Sequence, residues 1–118
     1  MLDDFILEIV DGIAIQKVNM VRVTIKEVKE FKDSIESLII NGHKNIIIDF
    51  SECHYIESII VGVMITFVKE LRSTSGDMKL MIPPEGNILN IFAQMGLNKI
   101  FSQFSSKELA IASFTKKV

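Results

Sequence analysis

Two apolar, β-branched runs, Phe5–Val10 and Ile13–Val18, flank the dipeptide Asp11-Gly12. Both residues of a tight two-residue turn must tolerate positive φ, which Asp and Gly do, so the pattern predicts a β-hairpin. Apolar positions then recur at Ile25, Val28, Phe31, Ile35, Leu38 and Ile39, with Lys26, Lys29, Glu30, Lys32 and Asp33 between them. That spacing is one face of a helix. Thr24 and Glu27 stand at capping-box spacing at its start, and Asn41-Gly42 offers a left-handed stop at its end.

From Asn45 to Phe50 both alternating faces are apolar, as in a central strand covered on both sides. A polar turn, Ser51–Glu57, separates this run from Ile59–Arg72, whose Ile, Val and Thr content favours a strand but whose length favours a helix. Gly76-Asp77 leads into a second buried strand, Met78–Ile82, completing a right-handed crossover between parallel strands. Pro83-Pro84 ends that strand. A short helix is expected over Glu85–Met95, with Ile88, Leu89, Ile91, Phe92 and Met95 inward and Gly96 closing it. Lys99–Phe104 reads as a last, edge strand, and Ser105-Ser106-Lys107-Glu108 as the capped start of a terminal helix through Phe114. The order β-β-α-β-α-β-α-β-α predicts an α/β fold, a mixed sheet of about five strands with four helices packed on it.

Length and charge narrow the function. At 118 residues the chain fits one domain, expected over 1–118. Its 13 basic and 15 acidic side chains are interspersed, which argues against a nucleic-acid surface. A single cysteine, Cys53, excludes an internal disulfide and fits a reducing compartment. The start Met1-Leu2-Asp3-Asp4 lacks a basic leader, and the longest uncharged apolar stretch, Ile59–Val68, falls short of the ~20 residues of a membrane span. These features lead to the expectation of a cytoplasmic protein with no membrane insertion.

Candidate chemistry is sparse. His43 beside Gly42 suits a helix C-terminus, and adjacent Cys53 and His54 have no second Cys/His pair with which to hold zinc. The six glycines form neither a phosphate-binding loop nor a dinucleotide fingerprint, so no cofactor is expected. Gly62, inside the second predicted helix, is expected to allow close packing on the sheet. Met64, Met78, Met81 and Met95 fall at core-type positions. Asp49, at the end of the central strand, is expected to hydrogen-bond the following loop; a receiver-type phosphoaspartate would need an acidic pair at the end of another strand, and the first strand ends Ile9-Val10. Ser58 stands out as a hydroxyl at a helix N-terminus, where free N–H groups and the helix dipole favour an anion. By itself it reads first as a plain N-cap, and the two roles are not exclusive.

The order of elements, with Ile46-Ile47-Ile48-Asp49-Phe50-Ser51 and Ile56-Glu57-Ser58-Ile59-Ile60-Val61-Gly62-Val63, resembles the STAS domain of bacterial anti-sigma-factor antagonists. Gly76–Met81 and Ile91–Phe101 extend the resemblance downstream, so that it covers Phe5 to about Phe114. In that family the turn reads Asp-Ser-Ser/Thr-Gly-Leu-Gly, and its first serine is phosphorylated by a cognate anti-sigma kinase. That serine falls on Ser58. Glu57 replaces Asp, Ile59 replaces Ser or Thr, and Ile60 replaces Gly; Val18-Asn19-Met20-Val21 stands where the family carries Gly-Glu-Leu-Asp. The resemblance implies a non-enzymatic regulator that binds an anti-sigma factor or serine-protein kinase through Asn19, Asp49, Glu57, Ser58, Ile59 and Ile60 and is switched at Ser58. Two other readings stand beside it. One is a non-phosphorylated scaffold in a signalling complex or on a transporter; the other is a small enzyme or ligand-binding domain using Asp49, Cys53 and His54.

Overall fold

A computed structural model describes residues 3–115. Phe5–Val10 (β1) and Ile13–Val18 (β2) pair antiparallel, Val10 facing Ile13 across a turn in which Asp11 and Gly12 take φ of 52° and 79°. These are the values of a type I′ hairpin. Asn45–Asp49 (β4) and Asp77–Met81 (β6) extend the sheet in parallel, and Gln103–Phe104 (β7) closes it in the order β1-β2-β4-β6-β7. Val28–Ile40 (α1), Ser58–Ser73 (α2) and Ile88–Gln94 (α3) bury Phe31, Ile35, Leu38, Ile60, Val61, Met64, Ile88 and Phe92 against one face. Lys107–Thr115 (α4) covers Ile13, Ile15, Ile47 and Met81 on the other. The mixed five-stranded sheet with four helices is therefore as expected. Phe31 joins helix to sheet, its ring 6.2 Å from that of Phe5 and 6.5 Å from that of Phe50.

The helix ends carry the predicted chemistry with small shifts. Thr24 and Glu27 form the capping box, but the turn they cap, Ile25–Glu27, is 3₁₀. Three residues per turn instead of 3.6 rotate Ile25 off the buried stripe, leaving it 61% exposed rather than in the core. The Glu27 carboxyl is held below its ordinary range, first by the Thr24 N–H. A lowered carboxyl stabilises above its unfolded pKa and loses that contribution as pH falls through the folded one, so this cap weakens in acid. At the far end of α1, Gly42 N–H donates to Ile39 and His43 N–H to Leu38, both at 3.0 Å, with Gly42 at φ 91°. This is a Schellman stop.

Several expectations need correction. Two short strands, Arg22–Val23 (β3) and Tyr55–Ile56 (β5), pair parallel as a separate ribbon, so the "polar turn" contains a strand with Ile56 fully buried. Leu89 and Met95 are 40% and 49% exposed, because α3 spans only seven residues and buries a narrow stripe. Lys99–Phe104 is mostly not a strand. A 3₁₀ turn over Leu97–Lys99 delays it, Phe101 enters the core against Phe92, and only Gln103–Phe104 pairs. The cap of α4 is Ser106, whose hydroxyl accepts from Leu109 N–H at 3.1 Å, one residue later than the Ser105–Glu108 spacing suggested.

Candidate functional site

The carboxyl ends of β2 and β4 lie side by side, with Lys17 paired to Asp49. Asp49 is buried, and its Oδ1 accepts from Ser51 N–H at 2.8 Å, turning the chain out of the sheet as the sequence suggested. The loop is then fastened in three directions. His54 and Tyr55 N–H both donate to the Val21 carbonyl, and Glu57 N–H donates to that of Val23. Glu57 Oε1 accepts from Ile25 N–H at 2.6 Å, tying the loop to the entrance of α1.

The third fastening comes from Asn87, which sequence reasoning placed in a helix and gave no role. Its Oδ1 accepts from Ile56 N–H and its Nδ2 donates to the Ile56 carbonyl, each at 3.0 Å, so one side chain does for β5 what a neighbouring strand would. Asn87 N–H also donates to the His54 carbonyl at 2.9 Å. Gly86 makes this approach possible: it has φ 89°, and a Cβ there would collide with the His54 backbone. The Gly-Asn dipeptide after Pro83-Pro84 is the signal that marked a turn rather than a helix start. Asn87→Ala strands both polar groups of Ile56, at a cost of ~1–3 kcal/mol. Urea unfolding would read the loss, and amide exchange at Ile56 would read the loosened loop.

Ser58 is the first residue of α2, and the cap is Glu57, extended at φ −88°, ψ 153° with no side-chain capping bond. The capping role for Ser58 is thus displaced by one residue. Its side chain is exposed, and no hydrogen bond of its hydroxyl is found among the described residues. It stands in the first turn of a sixteen-residue helix, where backbone N–H groups lack helical partners and the dipole is positive. Ile59 beside it is 43% exposed, whereas Ile60 is fully buried in the main core. Ile60 and Asp49 therefore support the loop from beneath rather than presenting side chains to a partner. Asn19, half-buried beyond the end of β2, donates from Nδ2 to the Asp3 carbonyl at 3.1 Å.

Other exposed groups on this surface escaped sequence reasoning. Val21 is 63% exposed, and the Arg22 guanidinium lies 4.2 Å from the centre of the Tyr55 ring. Their visibility depended on the β3–β5 ribbon, which is too short to leave a periodicity. Ile59 also borders a groove between α1 and α2, lined by Lys32, Glu36, Gly62, Val63 and Thr66. Gly62 lines this groove and does not contact the sheet. A Cβ there meets nothing within 4 Å, so close packing does not account for it. Gly62→Ala should raise stability by ~1 kcal/mol, seen as an increased thermal midpoint.

The residues of the enzyme reading are poorly disposed for catalysis. Cys53 is fully buried, burial pushes its thiol up, and Sγ lies 3.5 Å from the Tyr55 carbonyl, while the His54 side chain is exposed. Among the described residues no group of three or more His, Cys, Asp or Glu gathers to hold a metal, and no helix is long and apolar enough to cross a membrane.

Comparison with known proteins fits this architecture. A candidate anti-sigma factor antagonist from Thermotoga maritima superposes with a TM-score of 0.86 at 22% identity, covering 95% of each chain. SpoIIAA, an anti-sigma factor antagonist solved in its unphosphorylated form, gives 0.80 at 22% identity over 97% of this chain and 98% of its own. The phosphorylated form of SpoIIAA, a Bacillus cell fate determinant, gives 0.69 at 22% identity over 93% of this chain and 98% of its own. These likenesses establish the fold. No curated protein sequence is significantly similar. The STAS domain family model matches residues 5–110, nearly the whole of the sheet and its helices, and the chain belongs to the STAS domain family.

Proposed function

We propose that this domain is a regulatory, protein-binding antagonist whose partner is an anti-sigma factor or serine-protein kinase, and that phosphorylation of Ser58 releases the partner. The single observation that carries the reading is the placement of Ser58: an exposed hydroxyl, not used as a cap, in the first turn of α2 at the carboxyl end of the parallel strands. Open α/β sheets bind ligands and partners at that end. Family membership and the existence of a phosphorylated form of SpoIIAA support a role switched by phosphorylation. Val21, Ile25 and Ile59 supply exposed apolar area on the elements bonded to the loop, and Arg22 supplies a cation for an acidic group of the partner. The reading includes a cytoplasmic location and no enzymatic activity of its own.

A phosphate at Ser58 adds nearly two negative charges in the turn that follows Glu57. Desolvating those charges raises the cost of closing an interface over them, which favours the free state. A scaffold that is never phosphorylated is the second reading, favoured by Ile59, an exposed apolar side chain next to the hydroxyl. Mass spectrometry of the protein and its co-purifying partner, isolated from the native cells, separates the two. Phosphoserine at residue 58 in the unbound fraction supports the switch. A stable complex with Ser58 unmodified in every fraction supports the scaffold.

A further inference from the structure

We infer that the outer edge of β1 pairs antiparallel with the β1 edge of a second copy of this chain, with Leu7 on the two-fold axis. The inference does not rest on the proposed switch.

β1 is a six-residue edge strand, and among the described residues no strand lies beyond it. Its side chains are unusually apolar for an edge: Ile6, Leu7 and Ile9 are 42%, 47% and 49% exposed. Edges are normally blunted by brevity, lysine, proline or a bulge. The opposite edge, β7, is only two residues long, whereas Phe5-Ile6-Leu7-Glu8-Ile9-Val10 has no lysine, proline or bulge, and its one charge, Glu8, is paired with Lys107 of α4.

The hairpin determines which backbone groups face outward. In a two-residue type I′ turn the flanking residues, Val10 and Ile13, form a hydrogen-bonded pair, and the alternation then directs Glu8 and Ile6 inward as well. Asn19 N–H donating to the Asp4 carbonyl at 2.7 Å continues the same parity. The N–H and C=O groups of Phe5, Leu7 and Ile9 therefore point away from the sheet.

These three residues are self-complementary. Two copies related by an axis perpendicular to the sheet keep their faces aligned only if paired residue numbers sum to an even value. With Leu7 on the axis, Leu7 meets Leu7 and Phe5 meets Ile9 of the second copy as hydrogen-bonded pairs, apolar against apolar. Glu8 then lies opposite Ile6 and keeps its own partner, Lys107, at 3.0 Å. Moving the axis to Glu8 would set two carboxylates directly opposite one another, which is unfavourable. Within Phe5–Val10 only the axes at Leu7 and Glu8 pair five residues of each copy, and charge selects Leu7 of the two, although Asp3 and Asp11 meet at each end and oppose association weakly at low salt.

One strand pair buries less than the ~1,200 Å² of a standard stable interface, so the dimer is weak and concentration-dependent. Sedimentation of the full chain from about 10 µM to about 1 mM should show it, strengthening as salt screens the terminal aspartates. Amide exchange should slow about tenfold or more at Phe5, Leu7 and Ile9 on concentration, with Ile6, Glu8 and Val10 already protected. Leu7→Lys sets two cations on the axis and should return the protein to monomer; Ile9→Lys is the second variant, and unchanged circular dichroism certifies the fold of each. The inference is overturned by a monomer at every concentration, or by a dimer protected elsewhere or indifferent to both variants. Protection of these amides only when a different protein is added overturns the second-copy assignment.

Discussion

Ser58→Asp should abolish capture of the partner, while Ser58→Ala should leave it nearly intact. The hydroxyl is exposed and is not used as a cap, so removing it leaves the helix start as it was. A fixed carboxylate in the same turn carries less charge than a phosphate, but it carries that charge permanently. A loss of ~3 kcal/mol at the interface would already weaken binding more than a hundredfold. Calorimetric titration of both variants against the partner measures the ratio directly. Equal affinities would leave the scaffold reading standing and remove the switch.

The largest expected change in stability comes from the residue that departs furthest from the family's turn. Ile60 stands where a glycine is usual, and its side chain is fully enclosed in the main core. Ile60→Ala should cost ~2–5 kcal/mol, the range for emptying such a site. Ile60→Gly should cost about 1 kcal/mol more, because glycine also weakens the helix. Urea midpoints should fall with unchanged slope. A fall of less than ~1 kcal/mol would mean that neighbouring side chains collapse into the space.

The sheet was legible wherever a periodicity ran for five residues or more. Asp11-Gly12 marked the hairpin, the 45–50 run marked the central strand, and length decided that Ile59–Arg72 was a helix, observed as Ser58–Ser73. Shorter devices were not legible. A 3₁₀ turn moved Ile25 to the surface, and the β3–β5 ribbon hid inside a polar turn because two residues have no period. Of the candidate site, Ser58 was found, but depth was not: a lone sequence gives Ile59 and Ile60 the same hydrophobicity, and only the rotation of α2 sends one outward and the other in. Asn87 was invisible for a different reason. It acts on Ile56 across a gap of 31 residues, and nothing local records that contact.

The same Asn87 clamp, with the Glu57–Ile25 bond and the ribbon, bears on what can recognise Ser58. The serine is presented on a braced epitope, the backbone of His54–Glu57 before it already bonded to Val21, Val23 and Asn87, and is not free to lie down as an extended strand in another protein's cleft. Whatever binds or modifies it must read a folded surface assembled from three distant stretches of chain. A short peptide copied from the loop would carry the serine without the bracing, and with it only a small part of what is recognised.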